Sequence, residues 1–349
     1  MNGSGRYRSI VKGTIHHGQS TLLGARDIEL ALLLIMLGGA TLSGSRHHHY
    51  LSQCYLRGFT QGSAKNSKLT VLDLKSNTKF ETIPRNVGGM RDFNRVEIAG
   101  VDPEIVEKAQ ADFEGEVATA LKKLEATSDF SGETKNVILE LIGMLAIKSP
   151  EMRKHLAEPQ VKIAKLMMAM NLESKERWEA QVAEFIKSTG EDISGGATYE
   201  EVKSAFERGA LEVSVSREHQ IQMELAGMRE ITELLHRRNW VLLKPDDEAG
   251  EFITTDNPVS LTFNKPVASA YVSPGFGLPD TMVYFPVSKN LALVGEFGGR
   301  GGVQAANKYL VAMLNSKVIA NSYQRVIASK CNFNYIAKGG AMQQGNALL

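Results

Sequence analysis

DPEIVEKAQADFEGEVATALKKL (102–124) is the stretch on which the reading of the fold turns. Asp102, Pro103 and Glu104 come in the order a helix start prefers: a capping side chain, a proline whose fixed φ suits the first turn, and an acid that complements the helix dipole. Ile105, Ala109, Phe113, Val117, Leu121 and Leu124 then recur every three or four residues, giving one apolar face over about six turns. That spacing predicts a helix buried on one side, with Phe113 midway along its stripe.

Further helices are predicted around 133–148, 151–171, 174–188, 199–210 and 217–238, each with helical period and few breakers. Within them Ile163, Leu166, Met167 and Met170 read as a core stripe rather than a membrane or cofactor face. Upstream, HYLSQCYLRGF (49–59) reads as one to two helical turns with Ser52 as N-cap. KLTVLDL and KFETI flank the polar break Lys75-Ser76-Asn77-Thr78 and read as a hairpin.

After Arg238 the texture changes. Trp240–Leu243, Glu251–Thr255, Val259–Phe263, Met282–Phe285 and Leu291–Phe297 are short β-favouring runs separated by Pro, Gly, Asn or Asp, and they read as strands of one sheet. A helix from about Val303 to Tyr323 and a closing strand around Arg325–Ala328 complete the pattern. Helices grouped between strands argue for an α+β fold, a central helical region with a mixed or antiparallel sheet built mainly from C-terminal strands, which the N-terminal hairpin is placed to join. The expected organisation is a tail or mis-called start at 1–46, one α+β domain at 47–330 and a C-terminal tail at 331–349.

The chain has 349 residues, 43% apolar and 23% charged, the profile of an ordinary globular protein. Its two cysteines, Cys54 and Cys331, fit a reducing compartment better than a disulfide scaffold, so a cytoplasmic home is expected. A formal net charge of +1 gives no global pull toward nucleic acid or an anionic surface. Regionally, residues 101–210 carry 14 Lys/Arg against 21 Asp/Glu, whereas 257–349 carry 8 against 2. The basic C-terminal region is compatible with nucleic acid or another polyanion; mutual attraction of the two regions explains the asymmetry equally well.

Residues 1–26 are poor in acids and rich in Gly, Ser and Arg, without helical or strand period, and read as disordered. LALLLIMLGGATL (30–42) is uncharged but shorter than the ~18–20 residues a membrane-crossing helix needs, and Asp27 and Glu29 at its edge do not suit a signal peptide. No membrane association is expected. Translation starting at Met36 is a second reading of this region, and in either reading it is expected to add little to the fold.

HHYLSQCYLRGF (48–59), FITTDNPV (252–259), and YFPVSKNLAL (284–293) followed by LNSKVIANSYQRVIAS (314–329) together resemble a bacterial family, the domain of unknown function numbered 4238. The spacing Glu107 to Glu114 and the run KSPEMR (148–153) are similar to that family as well, so the resemblance spans about residues 48–330. Ser52 stands where the family often has proline, Cys54 where it often has an aromatic, and Lys148 where arginine is usual; lysine there forgoes a bidentate grip. The family carries no established biochemical role, so the resemblance implies membership without implying an activity.

A polar cluster of His49, Glu107, Glu114 and Asp256 is the first candidate for catalytic chemistry, because a histidine with carboxylates is a recipe for a divalent metal that activates water or polarises a phosphoryl oxygen. Glu107 and Glu114 lie roughly 10 Å apart along a helix axis, which leaves His49, Glu114 and Asp256 as the candidate ligands of one ion. The bland alternative has His49 bonding backbone, the glutamates on a solvated flank and Asp256 shaping a turn. Asp256-Asn257-Pro258 is well placed at a strand end to display a carboxylate, but its residues are also ordinary turn formers. GEFGGRGG (295–302), between a predicted strand and helix, offers backbone N–H groups and Arg300 to an anion, yet it lacks the ending of a phosphate-binding loop and reads better as a connection.

No GxSxG, HExxH or CxxC motif is present. Two readings of function therefore stand: a metal-dependent hydrolase, with phosphodiesters as its candidate substrates, and a non-catalytic binding or interaction protein whose polar motifs hold the N-terminal segment to the C-terminal sheet. The first requires His49, Asp256 and a glutamate to converge within metal-sharing distance; the second has them packed or apart.

Overall fold

The computed structural model describes residues 47–64, 66–98, 100–189, 196–265 and 272–349. The apolar run 30–42 and everything else before His47 lie outside them. The described chain forms two compact units, residues 152–223 and residues 47–151 with 224–349. Among the described residues no helix is long and apolar enough to cross a membrane.

In chain order the structure opens with β1 (His47–His49), α1 (Gln53–Leu56), β2 (Leu69–Asp73), β3 (Thr78–Thr82) and β4 (Gly89–Arg91). The helical middle is α2 (Ile105–Thr127), α3 (Gly132–Ile147), α4 (Pro150–Asn171), α5 (Lys175–Thr189), α6 (Tyr199–Glu207) and α7 (Arg217–His236). There follow β5 (Asn239–Pro245), β6 (Thr254–Thr255), β7 (Ser260–Phe263), β8 (Thr281–Ser288), β9 (Leu291–Glu296), β10 (Gly302–Ala306), α8 (Lys308–Asn321), β11 (Arg325–Ala328), β12 (Asn334–Ile336) and β13 (Met342–Gln344). The fold is α+β, as its pattern of elements predicts.

Two sheets organise the larger unit. One is five-stranded and mixed, in the order β10-β5-β9-β8-β7, with β10 parallel to β5 and the other pairs antiparallel. Successive residues point to opposite faces of a strand, so Leu242 and Leu293 join the core under α2 and α3, while Leu243 and Ala292 join Val311, Leu314 and Val318 of α8 on the other face. Val117 and Leu124 of α2 and Ile138, Leu141 and Ile142 of α3 are buried in the first of these cores with Leu56 and Phe59.

The second sheet is antiparallel, in the order β3-β2-β11-β6. Here the N-terminal hairpin meets C-terminal strands, with Leu72 opposite Val326 and Ile327 opposite Thr254. The hairpin turn is set locally: Asp73 Oδ1 accepts the Ser76 N–H at 2.9 Å, and Asn77 takes a left-handed φ of 55°. β2 lies between two strands and buries all five of its residues, whereas β3 is an exposed edge.

Four expectations are corrected. The strands expected in one sheet divide over two, because β6 pairs with β11 and not with its sequence neighbours. The helix expected from Val303 starts at Lys308: residues 302–306 extend the five-stranded sheet, and Asn307 then accepts the Leu310 N–H as N-cap. Ser52 occupies the N-cap position of α1 but makes no capping bond. Finally, Ile163, Leu166, Met167 and Met170 are 57%, 62%, 55% and 51% exposed. α4 buries Arg153 and Ala157 on a different face, and periodicity alone does not say which face packs.

In the smaller unit a capping box of Thr198 and Glu201 starts α6, and the Tyr199 hydroxyl donates to Leu172 O at 2.9 Å. Its buried apolar side chains are few: Ala157, Leu172, Val202, Ala205, Val215 and Ile221.

Phe113 is only partly buried against the core, whereas Leu124 is fully buried. Leu124→Ala is therefore expected to cost about 3 kcal/mol in chemical denaturation, with Phe113→Ala costing less. The reverse order would mean that α2 presents a different face.

Candidate functional site

The HHY segment reaches the interior through a two-stranded ribbon. β1 pairs with β4, His48 opposite Met90 and His49 opposite Gly89. Gly88, at φ +68°, offers its carbonyl to the N–H groups of Tyr50 and Leu51, and a Cβ there would collide with Leu51. The ribbon and this bend leave His48 fully buried and His49 nearly so.

His48 is the histidine that faces α2. Its Nδ1 accepts the Asn94 main-chain N–H at 2.9 Å, which leaves the ring proton on Nε2, 3.0 Å from Glu104 Oε2. Glu104 also receives Arg95 at 2.9 Å. One turn into α2, Asn94 Nδ2 donates to Glu107 Oε2 at 2.6 Å and to Gln110 Oε1 at 2.9 Å. Gln110 donates in turn to His49 O at 3.0 Å and Glu114 Oε1 at 3.1 Å, and it accepts from Lys148. Glu107, Gln110 and Glu114 share one helix face by their spacing, so a single row of side chains receives both the N-terminal strand and the turn after α3.

The His49 imidazole is turned elsewhere, donating from Nε2 to Arg85 O at 3.0 Å. Asp256 lies at the end of β6. Its Oδ1 accepts the Tyr323 N–H at 3.0 Å, and its Oδ2 accepts those of Gln324 and Arg325 at 2.8 and 2.9 Å. The neighbouring Asn257 and Asn321 exchange side-chain to main-chain bonds of 2.9 Å. Burial pushes the Asp256 carboxyl up, the three N–H groups pull it down, and Glu151 adds a smaller upward push.

Tyr50 stands between these groups. Burial raises its hydroxyl to about 12, with further upward pushes from Asp256 and Glu151 and a downward one from Arg325. Tyr323 is raised by burial too, hydrogen-bonds Ser149, and feels both Glu151 and Asp256. The segments HHY, KSPE, DNP and SYQR therefore meet at one place.

Of the four side chains expected to act together, Glu107 and Glu114 share a network, His49 enters it only through its main-chain carbonyl, and Asp256 is held by residues 323–325. The His49 ring, Glu114 and Asp256, expected to share an ion, each bond a different partner: Arg85 O, the Gln110 side chain and the main chain of 323–325. Among the described residues no group of three or more His, Cys, Asp or Glu side chains is positioned to hold a metal ion. The glycine loop at 295–302 precedes β10 rather than a helix, so it has no helix N-terminus to offer an anion. Sequence reasoning missed His48, Asn94, Glu104 and Tyr50; the signal for His48 and Tyr50 lay in the HHY motif itself, whereas Asn94 and Glu104 gave none.

Burial, with the Glu114 charge beside it, pushes the Cys54 thiol up to about 12. An acid whose folded pKa lies above its unfolded value contributes stability that is complete below the unfolded pKa and is lost as pH rises through the folded one. Cys54 and Tyr50 thus predict falling stability between pH ~9 and ~12 in urea melts, with Cys54→Ala flattening the lower part of the slope. A stability flat across that range would place both groups in water.

No curated protein and no solved structure matches the chain. Residues 47–332 match the family described as Protein of unknown function (DUF4238), which covers β1 through β11, and the chain belongs to that family.

Proposed function

We propose that this chain is a binding or interaction protein whose polar motifs hold the N-terminal segment against α2 and the C-terminal strands, in preference to a metal-dependent hydrolase. The observation that carries the reading is Asp256, which engages both carboxylate oxygens with three main-chain N–H groups. A metal ligand or general base needs a free lone pair aimed at solvent or substrate. The His49 ring bonds a carbonyl, and Glu107 and Glu114 accept from Asn94 and Gln110. In each case the partner comes from a segment distant in sequence, or from the row on α2 that receives one.

Asp256→Asn tests the proposal. The new amide sets an NH₂ group against main-chain N–H donors, so the variant is expected to lose about 1.5–3 kcal/mol of stability. Calorimetric titration of the unaltered chain with Mn²⁺ or Zn²⁺ is expected to show no stoichiometric binding. The proposal fails if one equivalent binds and His49→Ala or Asp256→Asn abolishes that binding with the fold intact. It fails equally if metal-dependent cleavage of bis(p-nitrophenyl) phosphate disappears in those variants.

A further inference from the structure

β10 is the outer strand of the five-stranded sheet, and its free side lacks the charges and prolines that keep sheet edges from pairing. Its sequence GVQAA is uncharged, residues 302–305 are exposed, and Val303 is 54% exposed. β3, the outer strand of the other sheet, shows the contrast, since TKFET sets Lys79 and Glu81 along its edge. Among the described residues nothing pairs with the outer side of β10.

The backbone groups of β10 divide by residue. Ala306 O accepts the Asp246 N–H at 3.0 Å, and in a parallel ladder a residue turns both its N–H and its C=O to the same neighbour. Gly302, Gln304 and Ala306 therefore face β5, which leaves Val303 and Ala305 with their N–H and C=O groups pointing outward. An antiparallel strand pairs with such an edge when its own outward-facing residues stand opposite these. A second copy of β10, turned about a two-fold axis through Gln304, meets that condition: Val303 stands opposite Ala305 of the second copy, and Ala305 opposite its Val303. Each of these pairs exchanges two main-chain hydrogen bonds. Val303 and Ala305 of both copies then share one face of the joined sheet, and on the other face Gln304 stands beside its own counterpart.

The charges at the two ends of the edge select the same arrangement. Arg237 and Arg238 precede β5 and Arg300 precedes β10, whereas Asp246, Asp247 and Glu248 follow β5 and Lys308 follows β10. β5 and β10 run parallel, so one end of the edge is basic, even with Glu296 of β9 counted against it, and the other is acidic. Antiparallel pairing lays the basic end of each copy along the acidic end of the other. Arg300 comes level with the 246–248 turn of the second copy at two strand spacings, about 10 Å, where exposed charges still attract at ordinary salt. Parallel pairing would set like ends together.

We infer that the chain forms a two-fold dimer through β10, which joins two five-stranded sheets edge to edge. The glycine loop at 295–302, expected from the sequence to be a connection, then also supplies Arg300 to the contact. The inference stands independently of the proposed function.

Sedimentation velocity on the full chain, from about 1 to about 100 µM, tests the pairing. A dimer is expected in the upper part of that range, with a dissociation constant that rises with salt. Gln304→Lys sets two ammonium groups side by side on the axis and should raise the constant at least about 5-fold, as should Gln304→Glu with its two carboxylates. An equal mixture of the two variants should dimerise at least as tightly as the unaltered chain. Ala305→Pro removes an N–H that faces away from β5 and should raise the constant at least about 10-fold with the urea midpoint unchanged. A monomer at the highest concentration overturns the inference, whatever other partner the edge takes. A dimer that both Gln304→Lys and Ala305→Pro leave intact overturns it as well, and so does a mixture no more dimeric than its components.

Discussion

A buried carboxylate that gathers three main-chain N–H groups fixes the junction on which the larger unit depends. Asp256 ends β6, and residues 323–325 lead from α8 into β11, so its bonds set the register in which those strands pair. Asp73 grips the same turn from the other side, accepting the Gln324 side chain at 2.6 Å and Arg325 Nε at 3.4 Å. Two aspartates about 180 residues apart in the chain thus clamp one turn, and through it the N-terminal hairpin joins strands from the opposite end of the sequence. The turn is partly buried, and its main-chain N–H groups left without acceptors would carry part of the desolvation penalty of an unpaired donor, which the clamp removes and β11 pairing alone would leave.

The row on α2 solves the same problem for the first strand. A short two-stranded ribbon is marginal by itself in water. Gln110 makes β1 part of the body by donating to His49 O, and His48 adds its bonds to Asn94 and Glu104. Such a network is stabilising only when its members are satisfied, because each polar group within it has already lost its water. The position of Lys148 illustrates the point. An ammonium beside Gln110 Oε1 completes that amide as a single point donor, a task for which the bidentate geometry of arginine is not required.

Much of this was legible in the sequence where local chemistry decides the outcome. The apolar period of 105–124, the polar break at 75–78 and the run 325–328 each contain their own instructions, and each became the expected element. Pairing partners were not legible. Thr254 and Thr255 have the composition of any short strand, and only the long-range bonds of Asp256 direct them to β11. Residues 302–306 read as the start of a helix because Val, Gln and Ala suit either state; the parallel partner β5 supplies the tertiary context that turns them into a strand. Among the site residues, the carboxylates were found because their residue type announces chemistry. Their roles were not, since a type does not reveal whether its lone pairs face solvent or a neighbouring backbone. His48 and His49 are adjacent and chemically identical, and only the path of the ribbon decides that His48 meets α2.

That distinction bears on what chemistry the motif residues can perform. For Asp256 to bind an ion with the lone pairs that now accept Tyr323, Gln324 and Arg325, it would have to release three main-chain N–H groups of a partly buried turn. His49 would have to leave Arg85 O in a site where its ring is packed edge-to-face on His47 at 5.1 Å. Glu107 and Glu114 would surrender Asn94 and Gln110, loosening the contacts that seat β1. Each move weakens the junction that brings these residues together, so the arrangement that makes them neighbours is also the one that occupies them.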